Sequence, residues 1–164
     1  LFTNKMEGVY KEQRDKGSGH IMDAKLKTLI DGLNEDLGYE YAAVIQYTNN
    51  AAVVSGLSRQ TLKPFFEAEA RDEIGHASYL AEKIATLGGD PVVEPKPVKM
   101  ISDVRTMLQH ARDEEAATIK RYKERMDQAE AVGEIALKIQ LEDMIADETN
   151  HKEELERLLK DPRL

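Results

Sequence analysis

Four stretches of this chain carry apolar residues at alternating spacings of four and three, and each is interrupted near its middle by Glu, or by Glu and His, on the same face. The first runs Leu26, Ile30, Leu33, Leu37, Glu40, Val44, Tyr47, Ala51 and Val54. The second runs Leu62, Phe66, Glu69, Glu73, His76, Leu80, Ile84 and Leu87. The third is Val104, Leu108, Ala111, Glu115, Ile119, Tyr122, Met126 and Ala129; the fourth is Leu137, Leu141, Met144, Glu148, His151, Leu155 and Leu158. Residues three and four apart share one side of an α-helix, and an apolar side has to be buried against another element. The pattern predicts four amphipathic helices whose buried faces carry acids and histidines. Burying a carboxylate is costly unless it is paired or bound to a metal. No Lys or Arg on these seams lies level with the Glu to neutralise them.

The breaks between segments are equally plain. The first helix is expected over about 23–55, starting at an Asp23 N-cap and stopping at Gly56. The second starts near Thr61, with Pro64 in its first turn, and ends at Gly88-Gly89. The run Asp90-Pro91-Val92-Val93-Glu94-Pro95-Lys96-Pro97 cannot be helical and reads as an extended crossover. Ser102 caps the third helix, which runs to Ala131 before Gly133; the fourth spans about 134–160, ahead of Pro162. No strand signal is present. The expected fold is all-α: an antiparallel four-helix bundle with one long crossover between helices 2 and 3. Residues 1–21 read differently, being polar with weak periodicity and ending in the spacer-like Gly17-Ser18-Gly19-His20. They are read as an N-terminal arm or a leader left from cloning, with the bundle occupying 22–164.

Spacing brings the interrupting residues together. Glu73 and His76, like Glu148 and His151, stand at i and i+3, so each pair projects from one helix face and can hold a metal between its side chains. The chain also repeats itself: Glu73 follows Glu40 by 33 residues, as Glu148 follows Glu115, and Tyr47 and Tyr122 each follow a seam Glu by seven. Two antiparallel hairpins in that register bring Glu40, Glu73, His76, Glu115, Glu148 and His151 to one level. Two divalent cations would balance the four carboxylates. Chance supplies a single Glu-x-x-His easily in a chain this rich in Glu, but not two on apolar seams in register with two further Glu and two Tyr.

Composition narrows the function. A formal charge of −8 lacks the basic excess of a nucleic-acid binder. The absence of Cys removes disulfides, zinc ribbons, rubredoxin-type iron centres and thiol nucleophiles, and is compatible with a cytoplasmic location. No apolar run approaches the roughly 20 residues of a membrane span.

The segments Glu40-Tyr41-Ala42-Ala43-Val44-Ile45-Gln46-Tyr47, Asp72-Glu73-Ile74-Gly75-His76-Ala77 and Asp147-Glu148-Thr149-Asn150-His151 resemble the bacterioferritin branch of the ferritin-like di-iron proteins, over about Asp23 to Lys160. That resemblance implies a ferritin-like bundle in which Glu73 and Glu148 bridge two metals, Glu40 and Glu115 are terminal carboxylates, and His76 and His151 bind one metal each. It also implies a functional tyrosine at Tyr47, hydrogen-bonded to a bridging carboxylate or giving up an electron. Tyr122, its repeat partner, reads either as a core aromatic or as a second tyrosine beside the site. Glu69 reads either as an aid to iron access or as a solvated residue at the bundle end.

Departures from the family matter as well. Haem-binding bacterioferritins carry Met after the bridging Glu of the second helix; Ile74 stands there, so no haem is expected. Thr118 replaces the extra Glu of rubrerythrins, arguing against that branch. Only a short tail follows His151, without the family's fifth helix, so a dimer is expected as the basic unit, with Val53, Ile101 and Ile139 as outward apolar positions.

Four carboxylates and two imidazoles suit two Fe per subunit, with Mn possible. The implied activity is ferroxidase: Fe(II) oxidised by O2 or H2O2 for storage or detoxification. A peroxidase- or catalase-like di-iron or di-manganese enzyme is the alternative. It would need an open pocket beside the metals, of which the Leu, Met and Val of the seams give no sign. A non-catalytic metal-binding bundle is the third reading.

Overall fold

The computed structural model describes residues 3–164, with side chains described from Met22 onward. Four helices form it: α1 (Thr3–Val53), α2 (Arg59–Thr86), α3 (Val104–Ala131) and α4 (Ile135–Leu158). α1 packs on α2 and α3 on α4 as hairpins, and α1 also packs on α3. Glu40 meets Tyr122, and Tyr47 meets Glu115, so α1 and α3 run antiparallel. Among the described residues there is no strand, and no helix is long and apolar enough to cross a membrane.

Helix ends follow local chemistry. Gly88 and Gly133 take φ of 86° and 82°, a left-handed conformation that glycine adopts without a Cβ penalty. There Gly89 N–H donates to Ile84 O and Glu134 N–H to Ala129 O, closing the last turns of α2 and α3. The cap of α3 is Asp103 rather than Ser102: its carboxylate accepts from Thr106 N–H at 2.8 Å, favoured by the positive end of the helix dipole. α2 begins two residues earlier than expected, which moves Pro64 beyond the first turn. α1 continues back to Thr3, so Asp23 lies inside a helix instead of capping one. Gly17 and Gly19 weaken a helix, but no Pro stands there to stop it. The arm-or-leader expectation for residues 1–21 falls on side chains outside the described set.

The crossover lies extended along α1. Asn34 bonds Asp90 O and Val92 N–H, Lys96 N–H donates to Gly38 O at 2.8 Å, and Lys99 N–H donates to Gln46 Oε1. This path carries the chain from the end of α2 back towards the start of α3.

The core is two apolar plugs with a polar layer between them. One plug holds Leu29, Leu33, Leu37, Leu80, Leu137 and Leu141; the other holds Ala51, Leu62, Phe66, Met107, Leu108 and Leu155. Each fully buried Leu contributes roughly 2 kcal/mol by transfer from water. The expected seams hold at their Glu positions and shift by one residue at several others. Leu29 is buried where Leu26 and Ile30 were expected, and on α3 Thr118 and Arg125 are buried while Ile119 and Met126 are half-exposed.

Arg125 is inside because Asp36 is. Asp36 has no exposure and lies 2.8 Å from Arg125 Nε and 3.4 Å from Arg121 Nε. Gly32 makes this pairing possible, since a Cβ there would sit 2.4 Å from the Arg125 guanidinium. Burial pushes the Asp36 carboxyl up to about 6 against the pull of the two arginines. Removing one partner of a buried pair strands the other charge. Asp36→Ala should therefore cost about 3–5 kcal/mol in chemical denaturation, and Asp36→Ala with Arg125→Met should recover at least half of it. Equal losses for the single and double variants would show that the pair is not coupled.

Candidate metal centre

All six residues picked out by spacing meet in the polar layer between the plugs. Helix periodicity places Glu73 and His76 on α2 and Glu148 and His151 on α4 at i and i+3, while α1 and α3 each deliver one Glu. Glu40, Glu73, Glu115 and Glu148 are each at most 4% exposed. Ligand-type atoms of Glu40, Glu73, His76 and Glu148 lie within 4.8 Å of one another, and so do those of Glu73, Glu115, Glu148 and His151. Glu73 and Glu148 belong to both sets.

Distances around the imidazoles show the same sharing. His76 Nδ1 lies 2.9 Å from Glu148 Oε1, 3.2 Å from Glu73 Oε2 and 3.9 Å from Glu40 Oε2. His151 Nδ1 lies 3.3 Å from Glu69 Oε2, 3.5 Å from Glu148 Oε2 and 4.0 Å from Glu73 Oε1. Both imidazoles thus aim Nδ1 at the carboxylates.

The electrostatics are those of crowded buried acids. Burial, then the charges of neighbouring Glu, raise Glu40 and Glu115 well above the usual carboxylate range. Burial also works to raise Glu148, but the close approach of Glu115 and of the His151 and His76 imidazoles holds it well below that range. Burial opposes charge on the histidines; contacts with Glu148 and the other acids outweigh it and push His76 up to about 11 and His151 up to about 9. Without a metal, the layer depends on protons and histidine charges for its neutrality.

The tyrosines take the mutual arrangement that the repeat implies, with a corrected partner. Tyr47 O–H donates to Glu115 and Tyr122 O–H to Glu40, so each contacts a carboxylate of the other half, not Glu73 or Glu148. Both rings are buried, and burial together with the adjacent carboxylate raises each phenol well above its ordinary range. Tyr122 is therefore more than a packed aromatic.

Three acids beside the site lie outside the six residues that spacing picks out. Asp147 Oδ2 lies 3.6 Å from His76 Nε2, and Asp72 Oδ2 lies 3.6 Å from His151 Nε2. A carboxylate there favours a proton on Nε2 and leaves Nδ1 free to face the layer. The signal was available, because an Asp precedes the Glu of both Glu-x-x-His pairs. Glu69 is buried and contacts His151, which excludes the solvated reading; burial pushes it up to about 7 against the pull of His151.

A family model described as a ferritin-like domain matches residues 30–164. A bacterioferritin of Streptomyces coelicolor is 30% identical over 132 residues, covering 80% of this chain and 79% of the relative. Among solved structures, a ferritin-like, diiron-carboxylate protein of Bacillus anthracis superposes with a TM-score of 0.81 at 60% identity, covering 83% of this chain and 98% of that one. The diiron bacterioferritin of Desulfovibrio desulfuricans superposes with a TM-score of 0.78 at 26% identity, covering 84% and 81%.

Replacing one crowded acid by its neutral isostere should relieve the metal-free layer. Glu115→Gln keeps the acceptor for Tyr47 and supplies an amide donor towards Glu148. We expect it to raise metal-free stability by about 1–2 kcal/mol and to remove the thermal stabilisation expected of the wild type on adding divalent metal. Loss of metal-free stability in calorimetry would contradict the crowding.

Proposed function

This chain belongs to the ferritin-like family, and from that premise we propose that its polar layer holds two iron ions per subunit and oxidises Fe(II). The observation that carries the proposal is the pair of overlapping ligand sets sharing Glu73 and Glu148. The donor set fits such ions: Glu148 Oε1 and Oε2, Glu69 Oε2 and His151 Nδ1 are buried without a hydrogen-bond partner. Glu73 and Glu148 would be shared by both ions; Glu40 and His76 would complete one, and Glu115 and His151 the other. Manganese would be accepted by the same oxygen-rich set.

Iron held there would supply one electron per ion to O2 or H2O2. The protein's part is to position and to manage protons. Asp72 and Asp147 hold the imidazoles with Nδ1 facing inward. Tyr47 and Tyr122 donate their O–H groups to the outer carboxylates and limit how those carboxylates swing. Tyr47 stands as the tyrosine that would give up an electron to the reaction. Buried Leu, Phe and Met close the layer above and below along the bundle axis.

Glu73→Ala or Glu148→Ala should remove rapid Fe(II) oxidation by more than a hundredfold and leave the helical content intact. The measurement is anaerobic Fe(II) titration, expected to saturate at two per subunit, followed by exposure to oxygen. Oxidation at the wild-type rate in either variant would place the chemistry elsewhere.

Assembly is part of the proposal. Val53 and Ile139 are 39% and 55% exposed and are available to a two-fold interface; Ile101 instead packs into the core. A dimer is expected by light scattering on a sizing column. A mass near that of 24 subunits would show that these faces close a cage.

A further inference from the structure

The two open sides of the polar layer carry opposite charge. On the α2–α4 side, Glu69, Asp72 and Asp147 surround the imidazoles, and the two Asp side chains are 60% and 59% exposed. That side attracts cations. On the α1–α3 side, a cavity of about 220 Å³ runs from the crossover down to Glu40, Glu73 and Glu115. The seams gave no sign of it, because its room comes from small side chains: Ala42 and Ala43 on α1 and Ala111 on α3.

At the rim of this cavity stand Lys96, Lys99 and Arg121. Arg121 stacks over the Tyr39 ring at 3.8 Å and is matched by Asp36 at 3.4 Å. Lys96 holds its ammonium over the same ring at 5.5 Å. Among the described residues, neither Lys96 nor Lys99 has a carboxylate within ion-pair distance, and the one acid at the rim, Glu114, faces His110 at 3.9 Å. A rim with two unmatched ammonium groups repels a divalent cation, and a neutral diatomic molecule has no use for it. The walls are mostly apolar, with Ala, Val98, Pro97 and the Tyr47 ring beside the polar Gln46, Thr118 and His110, and the floor is acidic.

We propose that this cavity binds a small organic carboxylate, its charged end on Lys96 and Lys99 and its short apolar chain directed down towards Tyr47. The chemistry of the walls fixes that orientation. An anion pushed to the floor would meet Glu40 and Glu115, whereas a chain placed there covers apolar surface and leaves the charge at the rim. The site is thus divided by charge: the acidic side receives metal, and the basic side receives the organic anion.

Isothermal titration of the purified protein with hexanoate, hexanol and hexylamine tests this. Hexanoate should bind at least tenfold more tightly than hexanol, and hexylamine should not bind. Lys96→Met with Lys99→Met should weaken hexanoate at least tenfold and leave hexanol unchanged. Ala43→Phe, checked for unchanged helical content, should abolish both by filling the cavity. Equal affinity for hexanoate and hexanol, indifference to the lysine changes, or no hexanoate binding at millimolar concentration would overturn the proposal. The wild-type comparison stands even if Ala43→Phe fails to fold. Fe(II) oxidation is measured separately, so failure to bind the probe leaves the ferroxidase reading untouched.

Discussion

Four carboxylates packed into the middle of an otherwise apolar bundle set the terms for everything around them. Two like charges about 4 Å apart repel by about 4 kcal/mol at an effective dielectric near 20, and this layer brings several such pairs within 4.8 Å. The helices do not relax the crowding, because each Glu sits on a seam clamped above and below by fully buried Leu and Phe. The layer therefore has to recruit positive charge. Protons on Glu40 and Glu115 and charged His76 and His151 meet that need in the free protein, and metal ions are the proposed replacement. A site strained in this way binds cations more strongly than a relaxed one, since binding removes repulsion as well as adding bonds.

The internal repeat explains how so few residues assemble the site without a loop. Glu115 follows Glu40 by 75 residues, as Glu148 follows Glu73, and the same offset relates Tyr122 to Tyr47 and Asp147 to Asp72. Because the two hairpins face each other, each half completes the other. Tyr47 of the first half serves Glu115 of the second, Tyr122 serves Glu40, Asp72 serves His151 and Asp147 serves His76. Every supporting contact crosses the bundle, so the site exists only when the hairpins are docked. Pairing across hairpins also means that the backbone of each helix stays regular while the side chains do the positioning.

Sequence alone made the centre legible and left its surroundings obscure, for a physical reason. Glu and His on apolar seams contradict the ordinary pattern, so they stand out. Charged residues near a seam but not on it do not, because a charge is read as facing water. Asp36 and Arg125 are buried only because they meet each other across α1 and α3, a contact between residues 89 positions apart. Glu69 stands on the second seam, yet it reads as a solvated residue at the bundle end until His151 is seen beside it. The cavity was missed for the opposite cause: Ala42, Ala43 and Ala111 are all acceptable core residues, and only their convergence makes a void. The cap of α3 turned on a single residue, where neighbouring Ser and Asp offer the same chemistry and the local geometry selects Asp103.

Where the repeat fails is as informative as where it holds. The counterparts of Asp36 and Arg125 in the other half are Ala111 and Asn50; Met144 answers Glu69, and Arg121 answers Gln46. None of the six central residues differs between halves, but these neighbours do. One end of the α1–α3 contact is consequently fastened by an ion pair, while the other carries small side chains. The crossover then adds Lys96 and Lys99 on a side that has no equivalent segment opposite. Two chemically equal ligand sets thus sit in unequal fields: the set with His151 has an extra acid, and the set with Glu40 lies nearer Asp36 and its arginines. Ions in such positions would differ in affinity and in ease of oxidation, even though their immediate donors are the same, because the field of the surrounding charges acts on both.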